Sequence, residues 1–314
     1  MEQTKTKEDL LLYAKIFIPI VVAALFLIVL VAVVVGNNLA TPRATQPSTA
    51  PGPTPHASPA PPAPNPYGAA DFDYVDGYLT CVTGPSTLGI DVSSWQGSID
   101  WQQVRDAGIE FVMIRVGGRG YGEEGKFYAD NMAQEYYRGA KAAGLSVGAY
   151  FFAQAVTVAE AQEEAQYTLE LVKDWQLDMP IVYDWEYVSD TARTANMTAR
   201  MLTDCTLAFC QAIEAAGRQP MVYFNMDLSN RLLYIEELTQ YPFWLAMYDA
   251  PMTYEYEVEM WQYGFATVPG IEGEVDMNLL LPPKEMKNPS SGGAPPELGF
   301  FTFHTEIAQY AALQ

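Results

Sequence analysis

Between residues 88 and 281, short apolar runs alternate with stretches of helical periodicity. The runs span 88–92, 111–116, 146–152, 180–184, 220–224, 243–248, 258–263 and 274–279. In the gaps, Tyr128, Met132, Tyr136, Gly139, Ala140 and Ala143 recur at i, i+3, i+4 spacing. Val158, Ala161, Ala165, Leu169 and Val172 form a second such stripe, and Leu202, Cys205, Phe209, Ala212, Ile213 and Ala216 a third. Gly144 and Gly217 fall where helix C-caps are expected. Eight strand signals alternating with helices predict an α/β chain, a (β/α)8-like parallel barrel of TIM type with irregular, shortened last helices. An open doubly wound sheet is the rival. It would carry a Gly-rich phosphate loop after its first strand, and Asp91-Val92-Ser93-Ser94-Trp95 is not one.

The N-terminal part follows a different pattern. Residues 16–35 form an unbroken apolar run with no charge, long enough for a hydrocarbon core of about 30 Å. Lys5, Lys7 and Lys15 precede it and Arg43 follows, which predicts a single-pass membrane anchor with a cytoplasmic N-terminus. On this reading the membrane is a partner, the location is the cell membrane, and the folded domain lies outside the cell. A cleaved signal peptide and a secreted chain form the competing reading, but a signal core spans only about 7–15 residues. The stretch 41–70 is rich in Pro, Ala, Ser and Thr and reads as a semi-rigid spacer. The expected organisation is therefore 1–15 cytoplasmic, 16–36 transmembrane, 37–70 linker, 71–286 folded domain, and 287–314 linker and tail.

Charge and rare residues narrow the chemistry. The formal charge is −21, from 17 Lys and Arg against 38 Asp and Glu, which argues against nucleic acid as a partner. The only histidines are His56 and His304, both outside the alternating region. Histidine-based nucleophilic catalysis and His-ligated zinc thus have no residues to use there. No cofactor or metal is implied. Cys81, Cys205 and Cys210 do not make a disulfide framework. Cys205 falls on an apolar helix stripe and reads as a buried thiol, with one bridge from Cys81 to Cys205 or Cys210 as the alternative.

Acid–base work would then fall to carboxylates. Chemistry in a parallel barrel collects at the C-terminal strand ends. Asp91 ends the first strand signal, Asp184 and Glu186 follow the fourth, and Asp276 falls in the eighth. First and eighth strands become neighbours on closure, so four acids from three strands should line one mouth. Asp184 and Glu186, at i and i+2, project to the same face. Two carboxylates so close resist joint ionisation, which keeps one protonated and able to donate to a leaving oxygen. Glycosidic cleavage uses such a pair. An Asp-x-Glu after a strand is also an ordinary turn or cap, but Trp185 between them is a costly residue for a plain loop. Asp100, followed by Gln103, reads as a helix N-cap. Glu123, Glu124, Glu163 and Glu164 read as solvated faces, and residues 117–120 as a flexible glycine loop. Trp95, Tyr150, Phe152, Tyr223, Trp244, Tyr248, Trp261 and Tyr263, with Gln262, gather near the same strand ends. Aromatic rings there suit sugar faces, although core packing is the better account of at least half of them.

These residues form an ordered series of motifs. Gly89-Ile90-Asp91-Val92-Ser93, Trp95-Gln96-Gly97, Ile99-Asp100-Trp101, Phe111-Val112-Met113-Ile114-Arg115, Gly148-Ala149-Tyr150 and Asp184-Trp185-Glu186 come first. Trp244-Leu245-Ala246-Met247-Tyr248, Trp261-Gln262-Tyr263 and Val275-Asp276-Met277-Asn278 complete it. The series resembles glycoside hydrolase family 25, the Chalaropsis-type lysozymes, over residues 88–281. Phe151 stands where many relatives carry His. The resemblance implies an N-acetylmuramidase acting on peptidoglycan glycan strands, with Glu186 as general acid. Asp184 would assist attack by the substrate's 2-acetamido group, and Asp91 and Asp276 would support. The substrate-binding set it implies is Trp95, Tyr150, Phe152, Tyr223, Trp244, Tyr248, Trp261 and Gln262. A weakly catalytic wall-binding scaffold on the same fold and a chitin-type glycosidase are the alternatives.

Overall fold

The computed structural model of the chain describes residues 61–282. The first strands are β1 (Phe72–Val75) and β2 (Tyr78–Cys81), an antiparallel hairpin turned by Asp76 and Gly77, both at positive φ. An Asp-Gly turn of that conformation matches the twist of the strands it joins. There follow β3 (Thr87–Val92), α1 (Trp101–Asp106), β4 (Phe111–Arg119), β5 (Phe127–Ala129), α2 (Ala133–Ala142) and β6 (Ser146–Ala153). The chain continues through α3 (Val158–Leu171), β7 (Ile181–Trp185), α4 (Ala199–Ala215), β8 (Pro220–Asn225) and α5 (Met226–Arg231). It ends with β9 (Phe243–Ala246), β10 (Met260–Thr267) and β11 (Glu274–Leu280).

Eight strands close a ring in the order β3-β11-β10-β9-β8-β7-β6-β4, and β3 pairs with β4 to complete it. All eight expected strand runs take part, but the all-parallel barrel needs correction. β11 runs antiparallel to both β10 and β3. The cause is the connection from β10, residues 268–273, which is too short for the helical crossover that a parallel pair requires. The last helices are reduced as expected: a short α5 and a 3-10 turn precede β9, and no helix separates β9 from β10.

The membrane-spanning helix also needs correction. Residues 16–35, on which it rested, lie outside the described residues. Among the described residues no helix is long and apolar enough to cross a membrane. The longest, α4, has 17 residues, packs Leu202, Cys205, Phe209 and Ile213 inward, and carries Asp204. A span needs about 20 predominantly apolar residues. The single-pass topology, the membrane as partner and the cell-membrane location drawn from that helix therefore have no support in the described structure.

Local expectations fare unevenly. Asp100 caps α1, its Oδ1 accepting from the Gln103 amide at 3.1 Å. Gly144 and Gly217 follow α2 and α4 at positive φ, as helix stops do. All three cysteines are free and buried. Tyr128, however, belongs to β5 rather than to a helix, and residues 117–119 are strand rather than loop. The glycines are there because β5 lies so close: a Cβ on Gly117 would stand 2.4 Å from the Tyr128 carbonyl oxygen. Glu164 is not solvated. It shares the buried stripe of α3 with Ala161, Ala165 and Thr168, and pairs with Arg119 Nε at 2.9 Å.

Two packing layers position the site. Strand residues facing outward pack under the helices. Inward residues, among them Phe111, Met113, Val182, Met221 and Met260, fill the barrel. Toward the C-terminal strand ends this inward set turns from apolar to charged and polar. The base of the barrel holds both chain crossings of the domain. Residues 63–67 pair along 254–257, with the Asn65 amide donating to the Glu255 carbonyl at 2.9 Å. Leu280 lies opposite Thr87, and the buried Tyr67 donates its hydroxyl to the Pro282 carbonyl at 2.7 Å.

Candidate active site

Strand alternation builds the mouth. Asp91, Arg115, Tyr150, Asp184, Tyr223, Trp244 and Gln262 follow, at even spacing, the inward residues below them on their own strands. Asp276 enters from the third position of β11, directly opposite Asp91, because that strand runs downward. Glu186, two residues past Asp184, keeps the inward direction as β7 ends. Together with Ser93, Trp95, Gln96 and Tyr248, these residues line a cavity of about 340 Å³, a size suited to a small ligand or a few sugar units.

Asp91 Oδ2 accepts from Gln262 Nε2 at 2.6 Å and from Asn278 Nδ2 at 2.8 Å. Asn278 in turn accepts from Trp244 Nε1 at 2.8 Å, which fixes its amide orientation. The Gln262 Oε1 accepts from the hydroxyls of Tyr223 at 2.8 Å and Tyr248 at 2.7 Å. Tyr248 also stands 3.3 Å from Asp276 Oδ1. Among the described residues, Arg115 is the only cation on the wall. Its Nε donates to Asp130 Oδ2 at 3.0 Å and its Nη2 to Ser94 Oγ at 3.3 Å. Trp95 is 85% exposed at the rim.

Four carboxyls facing one guanidinium cannot all ionise near neutral pH. Burial raises Asp184 well above the ordinary carboxylate range, and Glu186 and Asp91 push it further against the pull of Arg115. Burial likewise raises Asp91, helped by Asp276 and opposed by its amide donors. Glu186 is raised by burial and then by Asp276. Burial lifts Asp276 to about 6 despite the Tyr248 hydroxyl. Asp184 Oδ1 is buried with no hydrogen-bond partner, while the residue itself lines the cavity. The arrangement can hold a proton on one acid while offering an anionic acceptor from another. Among the described residues no cluster of His, Cys, Asp or Glu converges closely enough to hold a metal ion.

Of the residues singled out from sequence, Asp91, Asp184, Glu186, Asp276, Trp95, Tyr150, Tyr223, Trp244, Tyr248 and Gln262 meet at this cavity. Phe152 and Trp261 do not line it. Trp261 alternates to the outer face, packs against Phe72 and Tyr263, and donates Nε1 to the Met247 carbonyl at 2.9 Å. Tyr263 shares that outer face. Arg115, Ser93 and Gln96 line the cavity but were not singled out. Arg115 left a signal, a lone charge inside the apolar run Phe111-Val112-Met113-Ile114-Arg115-Val116.

The sequence profile of glycosyl hydrolases family 25 matches residues 90–270, more than half of the chain. An autolytic lysozyme of Clostridium acetobutylicum is 26% identical over 217 residues, 65% of this chain and 60% of that protein. Lysozyme M1 of Streptomyces globisporus is 29% identical over 205 residues, 60% of this chain and 66% of that one. The chain thus spans about two thirds or less of the length of these curated relatives. A solved bacterial lysozyme from Streptomyces coelicolor superposes with a TM-score of 0.51 at 28% identity, over 61% of this chain and 90% of that one. The profile match covers the strand ends that carry Asp91, Asp184 and Glu186, and the chain belongs to glycosyl hydrolases family 25.

Proposed function

We propose that the chain is an N-acetylmuramidase that cleaves the β-1,4 bond between N-acetylmuramic acid and N-acetylglucosamine in peptidoglycan. One observation carries this reading. Glu186 and Asp184 share a single open cavity, both with raised proton affinity, beside a buried acceptor that has no partner. Glu186 donates its proton to the glycosidic oxygen as the bond to the anomeric carbon breaks and its electron pair leaves with that oxygen. The Asp184 carboxyl, which lines the cavity, accepts from the N–H of the 2-acetamido group, aiming that group's carbonyl oxygen at the anomeric carbon. Water then opens the cyclic intermediate and returns a proton to Glu186, with retention of configuration. This substrate-assisted route departs from the usual two-carboxylate scheme. Asp276 supports it by its charge, which favours the proton on Glu186, and Asp91 supports it by holding Gln262 and Asn278 in place at the mouth. The exposed face of Trp95 offers a platform for a sugar ring.

Digestion of purified wall tests the reading. The wild type should release fragments with muramic acid at the new reducing ends, and Glu186→Gln should lose about 10²–10⁴-fold in rate. N-acetylglucosamine at those ends would favour the chitin-type alternative. Wall binding without new reducing ends in either form would favour the scaffold alternative.

A further inference from the structure

Glu186 stands just where regular structure stops. Ladder pairing between β6 and β7 ends at Ala153 opposite Trp185, one residue short of Glu186. From there the chain runs without regular structure to α4 at Ala199. A general acid on such a segment needs another support, because a 1 Å misplacement costs about 10²-fold in rate.

Side chains take over where the ladder ends. Gln154, fully buried, donates Nε2 to the Glu186 carbonyl at 3.1 Å and to the Ala153 carbonyl at 2.8 Å. Its Oε1 accepts from the buried Thr194 hydroxyl at 2.9 Å. Both N–H donors and one oxygen lone pair of the amide are thereby used, and a flip would set its oxygen against two carbonyl oxygens. The Gln154 backbone is pinned as well. Its N–H donates to Glu164 Oε1 at 2.9 Å, and its carbonyl accepts from Arg193 Nη1 at 2.8 Å. Glu164 is locked to Arg119 Nε at 2.9 Å, and Arg193 to Glu160 Oε1 at 2.5 Å. This network ties β4, α3 and the 186–198 segment to one glutamine. None of its side chains lines the cavity. Burying the Arg119–Glu164 pair costs desolvation, and barrel closure does not need it, since the ladder between β6 and β7 is complete without it.

We propose that Gln154 is a positioning residue for Glu186, holding its backbone so that the carboxyl stays over the cavity, with Thr194 setting the orientation of the amide. The inference rests on the proposed muramidase reading. The test is steady-state kinetics of the full chain on soluble peptidoglycan fragments, with thermal unfolding alongside. Gln154→Met keeps the volume and removes every side-chain bond. It should lower kcat by about 10- to 100-fold and leave KM within about twofold. Thr194→Val should show a smaller fall of the same kind, and Thr194→Ser should recover most of it. A folded Gln154→Met with wild-type kcat overturns the proposal. If that variant does not fold, equal kcat for Thr194→Val and Thr194→Ser overturns it instead. If the wild type itself releases no reducing ends, the muramidase reading fails and positioning is read from amide hydrogen exchange over residues 186–190. Exchange at least ~10-fold faster in Gln154→Met or Thr194→Val then supports it, and unchanged exchange overturns it.

Discussion

Asn278 is the residue whose loss should register most clearly in stability. Fully buried on β11, it accepts from Trp244 Nε1 and donates to Asp91 Oδ2, both at 2.8 Å. Leucine fills a similar volume but makes neither bond. A buried indole N–H left unpaired costs about 1–3 kcal/mol, and Asp91 loses one of its two side-chain donors, roughly another 1–2 kcal/mol. Asn278→Leu should therefore destabilise by about 2–5 kcal/mol. Trp244→Phe cuts the same bond from the other side and leaves unfilled space in the barrel, for about 2–4 kcal/mol. The double variant has no indole N–H to strand. Its cost should fall short of the summed single costs by about 1–2 kcal/mol. Urea unfolding of the wild type, both single variants and the double variant at constant pH measures the cycle. Additivity to within ~0.5 kcal/mol would refute the reasoning, since the bond would then carry no energy of its own.

Three further outcomes follow from the same structure. Asp276 titrates near 6, above its ordinary 3.8, so its contribution to stability is fully present below about pH 4 and is lost as pH rises through 6. Tyr248→Phe removes a donor to the ionised form and should move that titration above 6; a carboxyl NMR titration of Asp276 that stays at or below 6 contradicts this. Gly139→Ala should lower Tm although alanine favours helices by about 1 kcal/mol, because the new Cβ would stand 2.1 Å from Trp101 Cδ1 and overpacking costs about 1–3 kcal/mol; a raised Tm would show that Trp101 moves aside freely. Trp95→Ala should leave unfolding within about 0.5 kcal/mol of wild type while raising KM for glycan fragments by roughly 5- to 10-fold, as loss of a stacking contact worth about 1 kcal/mol predicts; an unchanged KM would remove the platform role.

Apolar runs of strand length, alternating between two buried faces, made much of this barrel legible. Every strand run expected from the apolar pattern exists, because strands buried on both faces leave short unbroken apolar stretches. The direction of β11 was not legible, since strand direction depends on the length of the 268–273 connection rather than on anything in the strand. The same alternation separates Gln262 from Trp261. One faces the cavity and the other the outer layer, and proximity in sequence hid that difference. Glu164 and Arg119 escaped for another reason. Two charges that satisfy each other inside a protein look, in sequence, like two solvated side chains. The β1–β2 hairpin carries a turn signal in Asp76-Gly77, but its strands have only four residues each and β1 is mostly exposed, so no apolar run marked them.

The downward course of β11 has a consequence for how the barrel can be attached. Because that strand ends beside the start of β3, the chain joins the domain and departs from it side by side, with Tyr67 touching Pro282. Both crossings lie on the pole opposite the acids. Among the described residues neither crossing passes over the mouth, so a link made at either one starts behind the barrel. The same adjacency makes the fold a natural subject for circular permutation, with the two crossings bridged by a short link and the cleft left facing outward.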